Sequence, residues 1–272
     1  MQSINVVIIG EEVEKQTGRF TANQRRRLYG FIGPLVLLFF WQVLVMFGVL
    51  DARFFPSPVQ IVQMIVHNLQ TGQLEKDLGV SLIRVFGGFI LGTIPGLIIG
   101  LSMGLFRWVG ALFDPIIAAL QPIPKLALMP LIMVLFGLGE TEKIVVILTG
   151  VFFPVVINTA AGVRNLDKAY LEVAANFGAS KLQYYRTVAL PGALSMIFTG
   201  LKLGIGMALL LIVAAEMHGA LSGIGYRLWY AYSMFTIPTM YTSFVILAAL
   251  GWIFTTVIEE IELWVTPWKR PL

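Results

Sequence analysis

One feature constrains this chain more than any other. Stretches of about twenty mostly apolar residues recur along it, each long enough to cross a bilayer as a helix. Six are read: Tyr29 to Leu50, Ile83 to Phe106, Phe113 to Leu138, Ile144 to Val163, Leu194 to Met217 and Tyr241 to Val265. The third is interrupted by "QPIPK". Composition agrees, because only 12% of residues are charged against about 25% in a soluble domain. A chain this short of charge cannot coat a water-facing surface. The expected fold class is all-α, a polytopic membrane protein with about six transmembrane helices.

Several chemistries are excluded early. Cysteine is absent, so there are no disulfides or thiolate metal sites. The two histidines, His67 and His218, have no metal-ligand spacing. There is no HExxH, no GxSxG and no carboxylate pair converging inside a span, so an intramembrane enzyme finds no support. Glu259, Glu260 and Glu262 at the end of the sixth span read as a solvated helix end. No G-x-x-x-x-G-K-[ST] loop is present to cradle ATP phosphates. "INVVIIG" near the start is too short for a signal peptide, and acidic residues follow it.

Basic residues orient the spans. With the N-terminus inside, twelve fall in inner segments: Lys15, Arg19, Arg25, Arg26, Arg27, Arg107, Arg164, Lys168, Lys181, Arg186, Lys269 and Arg270. Five fall in outer segments: Arg53, Lys76, Arg84, Lys143 and Arg227. This asymmetry places both termini in the cytoplasm. The expected organisation is a cytoplasmic leader over 1–28, a first span with an outer amphipathic loop over 29–76, a transmembrane core over 77–265, and a tail over 266–272. "FFPSPVQIVQMIVHNLQTGQ" carries apolar residues at helical spacing, which suits a helix at the outer surface. Gly88, Gly92, Gly96, Gly100 and Gly104 form a stripe at four-residue spacing in the second span. Such a stripe lets another helix approach closely.

The inner loop over 164–191 is polar, basic and free of proline until Pro191. Its apolar spacing and Gly178 predict two short helices joined by a turn, with Pro191 opening the next span. Such a pair suits either a groove in another protein or a bed of lipid headgroups.

Glu172, Val173, Ala174, then Gly178 and Ala179, then Leu190 and Pro191 are spaced as in the EAA loop of ABC importer permeases. That pattern runs E-A-A, three residues, G, nine residues, I, one residue, L-P. Val173 and Val188 are the conservative departures. "FPSPVQIV", "SLIRVFGGFILGTIPGLIIGLSMG", "DPIIAALQPIPKLALMPLIMVLFGLGETEKI" and "AAEMHGALSGIGYRLWYA" resemble the nitrate/sulfonate/taurine branch of these type I importer permeases. The resemblance implies a MetI-like fold and a bacterial inner-membrane subunit that dimerises, most simply as a homodimer. It implies ABC ATPase subunits holding ATP and Mg on the cytoplasmic face, an extracytoplasmic solute-binding protein, and no nucleic acid. In that picture Glu172, Val173, Ala174, Gly178, Ala179, Leu190 and Pro191 couple the ATPase to the spans. Glu172 either pairs with a partner cation or caps a helix.

Residues inside spans mark the expected solute path. Pro122 and Pro124 free backbone groups that need protein or a watery cavity beside them. Lys125 either attracts an anion or is neutralised by a carboxylate or by snorkelling. Lys202 reads as a buried ion pair. Glu216 either gates the cavity or holds the outer loop that follows. Arg227 either meets the binding protein or lines an outer gate. The competing reading is a stand-alone secondary carrier or channel, which would need neither an ATPase nor the inner helix pair.

Overall fold

The computed structural model describes residues 22–269. The leader expected over 1–28 lies outside them up to residue 21, as do the last three residues of the tail. Among the described residues the regular structure is all helix, with no strand, and the chain falls into two compact units, 1–58 and 59–272.

The first unit carries α1 (Ala22–Met46). Its apolar described stretch, Ile32–Met46, is shorter than a full span. A turn at Gly48, with φ 71°, ends the apolar run. In the loop beyond, Arg53 Nε donates to Asp51 Oδ1 at 3.1 Å and holds that carboxyl down at about 2.

The second unit begins with α2 (Pro58–Gln70), the amphipathic helix that the proline pair and apolar spacing predict. Its His67 is exposed. Then come α3 (Gln73–Leu105), α4 (Arg107–Leu120), α5 (Met129–Phe136), α6 (Glu140–Arg164), α7 (Lys168–Asn176), α8 (Lys181–Tyr184), α9 (Leu190–Met217), α10 (Ile224–Ser233) and α11 (Ile237–Val265).

Four of these helices, α3, α6, α9 and α11, are long and apolar enough to span a membrane. Lys125–Leu128 forms a 3₁₀ turn leading into α5. With it, α4 and α5 make a fifth, broken span, bent by 86°. The described residues thus hold four or five spans, against six expected from the sequence. The bend falls at "QPIPK", where Pro122 and Pro124 remove two amide donors and end α4. Helix also resumes directly after the single extended residue Phe106, so the broken span starts at Arg107 rather than Phe113.

The core is centred on α6, where Val146, Ile147, Val151, Val155 and Val156 are fully buried. α3 runs parallel to α6, with its glycine stripe against it. Gly88, Gly92, Gly96, Gly100 and Gly104 face Ile147, Val151, Val155, Thr159 and Val163 in order. A β-carbon at Gly92 would sit 2.9 Å from the Leu148 carbonyl oxygen, and one at Gly100 would sit 2.7 Å from that of Val156. The missing side chains therefore set the helix separation, as dispersion-driven packing in lipid requires. α9 runs antiparallel to α6 on its other side, with Gly200 against Asn158 and Gly204 against Val151.

Candidate functional site

Three places carry the residues singled out above. The first is the loop between α6 and α9. Asp167 caps α7, its Oδ1 accepting from the Ala169 amide at 2.9 Å. Gly178 ends that helix with φ 68°, and the Ala179 amide donates back to the Ala174 carbonyl at 3.0 Å. This is the six-to-one closure of a left-handed glycine cap. Ser180 and Gln183 then form a capping box for α8: the Ser180 amide meets Gln183 Oε1 at 2.8 Å and the Gln183 amide meets Ser180 Oγ at 3.3 Å. Two helices and a glycine turn are thus present. Glu172 is exposed in the middle of α7, and the capping alternative for it fails because Asp167 occupies that role. Tyr170, Val173 and Phe177 are exposed at i, i+3 and i+7, with Phe177 87% exposed.

Pro191 does not open a helix. α8 passes into a π-turn, Tyr185–Ala189, and straight on into α9. The Leu190 amide reaches back five residues to the Tyr185 carbonyl. The widened turn makes room where Pro191 lacks a donor and would crowd the preceding carbonyls. Tyr170 of α7 and Pro191 of α9 line one cavity of about 640 Å³, together with Trp268.

The second place is the break between α4 and α5. Lys125 Nζ donates to the carbonyls of Leu120 at 3.0 Å and Gln121 at 3.3 Å, the free carbonyls at the end of α4. The ammonium also lies 3.9 Å from the Phe153 ring centroid. Lys125 is 9% exposed. Its positive charge is therefore met by a helix end and an aromatic face, not by a carboxylate.

The third place is a polar cluster where α3 begins and α9 ends. Arg84 NH1 donates to Glu216 Oε1 at 2.8 Å and to the Ser222 carbonyl at 2.8 Å. Its Nε donates to Glu140 Oε2 at 2.6 Å. Ser81 Oγ donates to Glu216 Oε1 at 2.8 Å and accepts from the Ile224 amide at 2.9 Å. The Gly225 amide donates to Glu216 Oε2 at 2.8 Å. Asp77 accepts from the Gly223 amide at 2.9 Å and from Arg227 Nε at 3.0 Å. Gly223 has φ 122°, and a β-carbon there would fall on the Glu216 carboxylate. Asp77, Ser81 and Arg84 of α3, with Glu216 of α9, thus hold residues 222–227, and Glu140 supplies a further carboxylate to Arg84. Arg227 is turned inward, only 7% exposed.

The residues expected along a path fall into two groups: Pro122, Pro124 and Lys125 at the break, Glu216 and Arg227 at the cluster. Lys202 sits apart from both, with Nζ 3.1 Å from Glu262 Oε2 on α11. It forms the expected ion pair, although its side chain is 26% exposed. At the opposite end from the cluster, Arg164 NH2 lies 2.9 Å from Asp114 Oδ2 and reaches the Met103 carbonyl at 3.3 Å. Asp77, Ser81, Arg84, Glu140, Asp114 and Asp167 were not singled out from the sequence. Only Asp167 carried a local signal, an aspartate just before a helical run.

Comparison with known proteins agrees with this architecture. Residues 78–271 match the family of binding-protein-dependent transport system inner membrane components, and the chain belongs to that family. It is a membrane-embedded permease subunit of the ABC importer class. Among individual relatives, it is 34% identical over 96% of its length to a Bacillus subtilis (strain 168) permease protein named for aliphatic sulfonates transport, SsuC, covering 93% of that protein. It is 30% identical over 96% of its length to the taurine transport system permease protein TauC of Escherichia coli K12, covering 98% of it. It is 32% identical over 89% of its length to the bicarbonate transport system permease protein CmpB of Synechococcus elongatus, covering 91% of it. An inward-facing structure of the MetNI methionine ABC transporter shares the fold at a TM-score of 0.59, over 72% of this chain and 98% of that one, with 20% identity.

Proposed function

We propose that the chain works as one of two copies in an ATP-driven importer of the bacterial inner membrane, with both termini cytoplasmic. ATPase subunits holding ATP and Mg sit against α7 and α8. A separate binding protein delivers solute at the opposite end, beside the Glu216 cluster. The solute class is a small anion, in line with the sulfonate, taurine and bicarbonate named in the relatives' titles.

The observation that carries this reading is the geometry of α7. It lies outside the apolar spans and, with the residue that follows it, presents Tyr170, Val173 and Phe177 to solvent. An exposed apolar stripe at helical spacing, held on a capped turn, suits insertion into a groove of another protein. Helix then continues unbroken from α8 into α9, so a displacement of the docked pair is delivered to a helix packed on the core. Glu216 and Arg227 hold the outer loop in this account rather than touching solute.

The test is reconstitution. Vesicles holding this chain with its ATPase and binding protein should take up solute only when ATP is supplied. Vesicles holding this chain alone should take up none. ATP-independent uptake by the chain alone would replace the importer with a self-sufficient carrier.

A further inference from the structure

Two cavities lie side by side at the end of α3, on the side of the bundle that carries α7 and α8. One is apolar, about 740 Å³, and runs along Ile98, Leu101 and Leu105 of α3 with Phe106 and Tyr185. The other, about 560 Å³, has a mixed lining that includes the charged side chains Arg107, Asp114 and Arg164. They share Leu105 and Tyr184 as lining residues, so they adjoin. Both volumes fall within the range of about 300–1,000 Å³ that ligand sites occupy.

Charge decides what fits. Arg164 is bound to Asp114. Arg107 is exposed and forms no ion pair among the described residues. The rim therefore holds one positive charge in surplus, the amount one phosphodiester would neutralise. The apolar cavity follows α3 from Ile98 to Leu105, roughly 10 Å at 1.5 Å per residue. A small soluble anion has no use for that length of apolar wall. Exposed Trp108 beside the rim suits the level of the headgroups. Placing this end in the cytoplasmic leaflet, whose surface is anionic, rests on the orientation proposed above.

We infer that this double cavity binds one anionic glycerophospholipid, with its phosphodiester against Arg107 and an acyl chain along Ile98, Leu101 and Leu105. Tyr184 and Tyr185 then line a lipid site while joining the docking helices to α9. The bound lipid braces that junction.

The assembled transporter, taken into vesicles of mixed phosphatidylglycerol and phosphatidylcholine and re-extracted, is analysed for lipid retained per permease. Wild type should retain phosphatidylglycerol in preference. Arg107→Gln should lower that retention about fivefold, the value of one surface cation, and Arg107→Lys should keep most of it. Leu101→Trp, which fills the apolar wall, should lower retention with Arg107 intact. Millimolar inorganic phosphate should displace nothing. Equal retention of both lipids, or no loss in either Arg107→Gln or Leu101→Trp, overturns the inference. So does displacement by phosphate, which would make this a soluble-anion site, or a cross-link between residues 101 of two copies, which would make it a subunit contact. ATP-dependent uptake in the same vesicles reads the permease assignment separately: uptake without lipid preference removes only the lipid site.

Discussion

Arg84 and Glu216 meet at 2.8 Å with their side chains 3% and 0% exposed, although they stand 132 positions apart in sequence. The pair ties the start of α3 to the end of α9. Removing one partner of a buried pair leaves an uncompensated charge and costs about 3–5 kcal/mol, whereas replacing both with apolar groups is far milder. Glu216→Ala should therefore lower the yield of assembled complex and solute uptake together. The double variant Arg84→Met with Glu216→Met should recover much of the thermal midpoint in detergent. Uptake lost at full assembly would instead assign Glu216 to the solute path.

The glycine stripe gives a paired test within one helix. A β-carbon at Gly92 meets backbone oxygen and Val151 at 2.9 Å, while one at Gly79 meets nothing within 4 Å. Gly92→Ala should destabilise the protein by about 1–3 kcal/mol through overpacking. Gly79→Ala should be neutral or stabilise by about 0.5–1 kcal/mol, since alanine suits a helix interior better. Thermal unfolding of the two variants in the same detergent checks both signs.

Lys125 has its charge met by the end of α4 and the face of Phe153. Lys125→Met should cost about 1–2 kcal/mol of stability, from the helix-end and cation–π contacts together. It should leave the KM for uptake within about twofold, because no binding energy to solute is lost. A tenfold rise in KM at normal assembly would put the ammonium on the solute.

Gly178 holds φ 68°, where a β-branched residue pays about 1–2 kcal/mol. Gly178→Val should leave the spans inserted and the permease at normal abundance. Solute-stimulated ATP hydrolysis should fall at least about tenfold, because a misaimed α7 no longer seats. Hydrolysis in the reconstituted complex, set beside permease abundance by blot, reads the two effects apart.

What was legible in the sequence was what is local or periodic. The stripe from Gly88 to Gly104 repeats every fourth residue, so its shared face is visible without a structure. The pair of short helices between α6 and α9 was legible because helical apolar spacing is interrupted at Gly178, all within about twenty residues. The cluster around Glu216 was not. Its partners Asp77, Ser81 and Arg84 lie more than 130 residues away in sequence, and Arg84 looked like one more loop cation. The partner of Lys125 is a backbone carbonyl, which leaves no mark in the residue string. The π-turn before Pro191 was hidden for a related reason, since proline is compatible both with a helix start and with a widened turn. Ser180 with Gln183, and Asp167, were readable capping signals in an already helical loop.

The most direct test of the account is the side of the membrane on which Phe177 lies and what it touches. The chain has no cysteine, so Phe177→Cys introduces a single thiol at an 87% exposed position. This thiol should resist a membrane-impermeant maleimide in intact cells, and a bifunctional reagent should join it to the ATPase subunit, faster when ATP is bound. Labelling from outside the cell, or failure to cross-link to the ATPase in an assembled complex, would contradict the account.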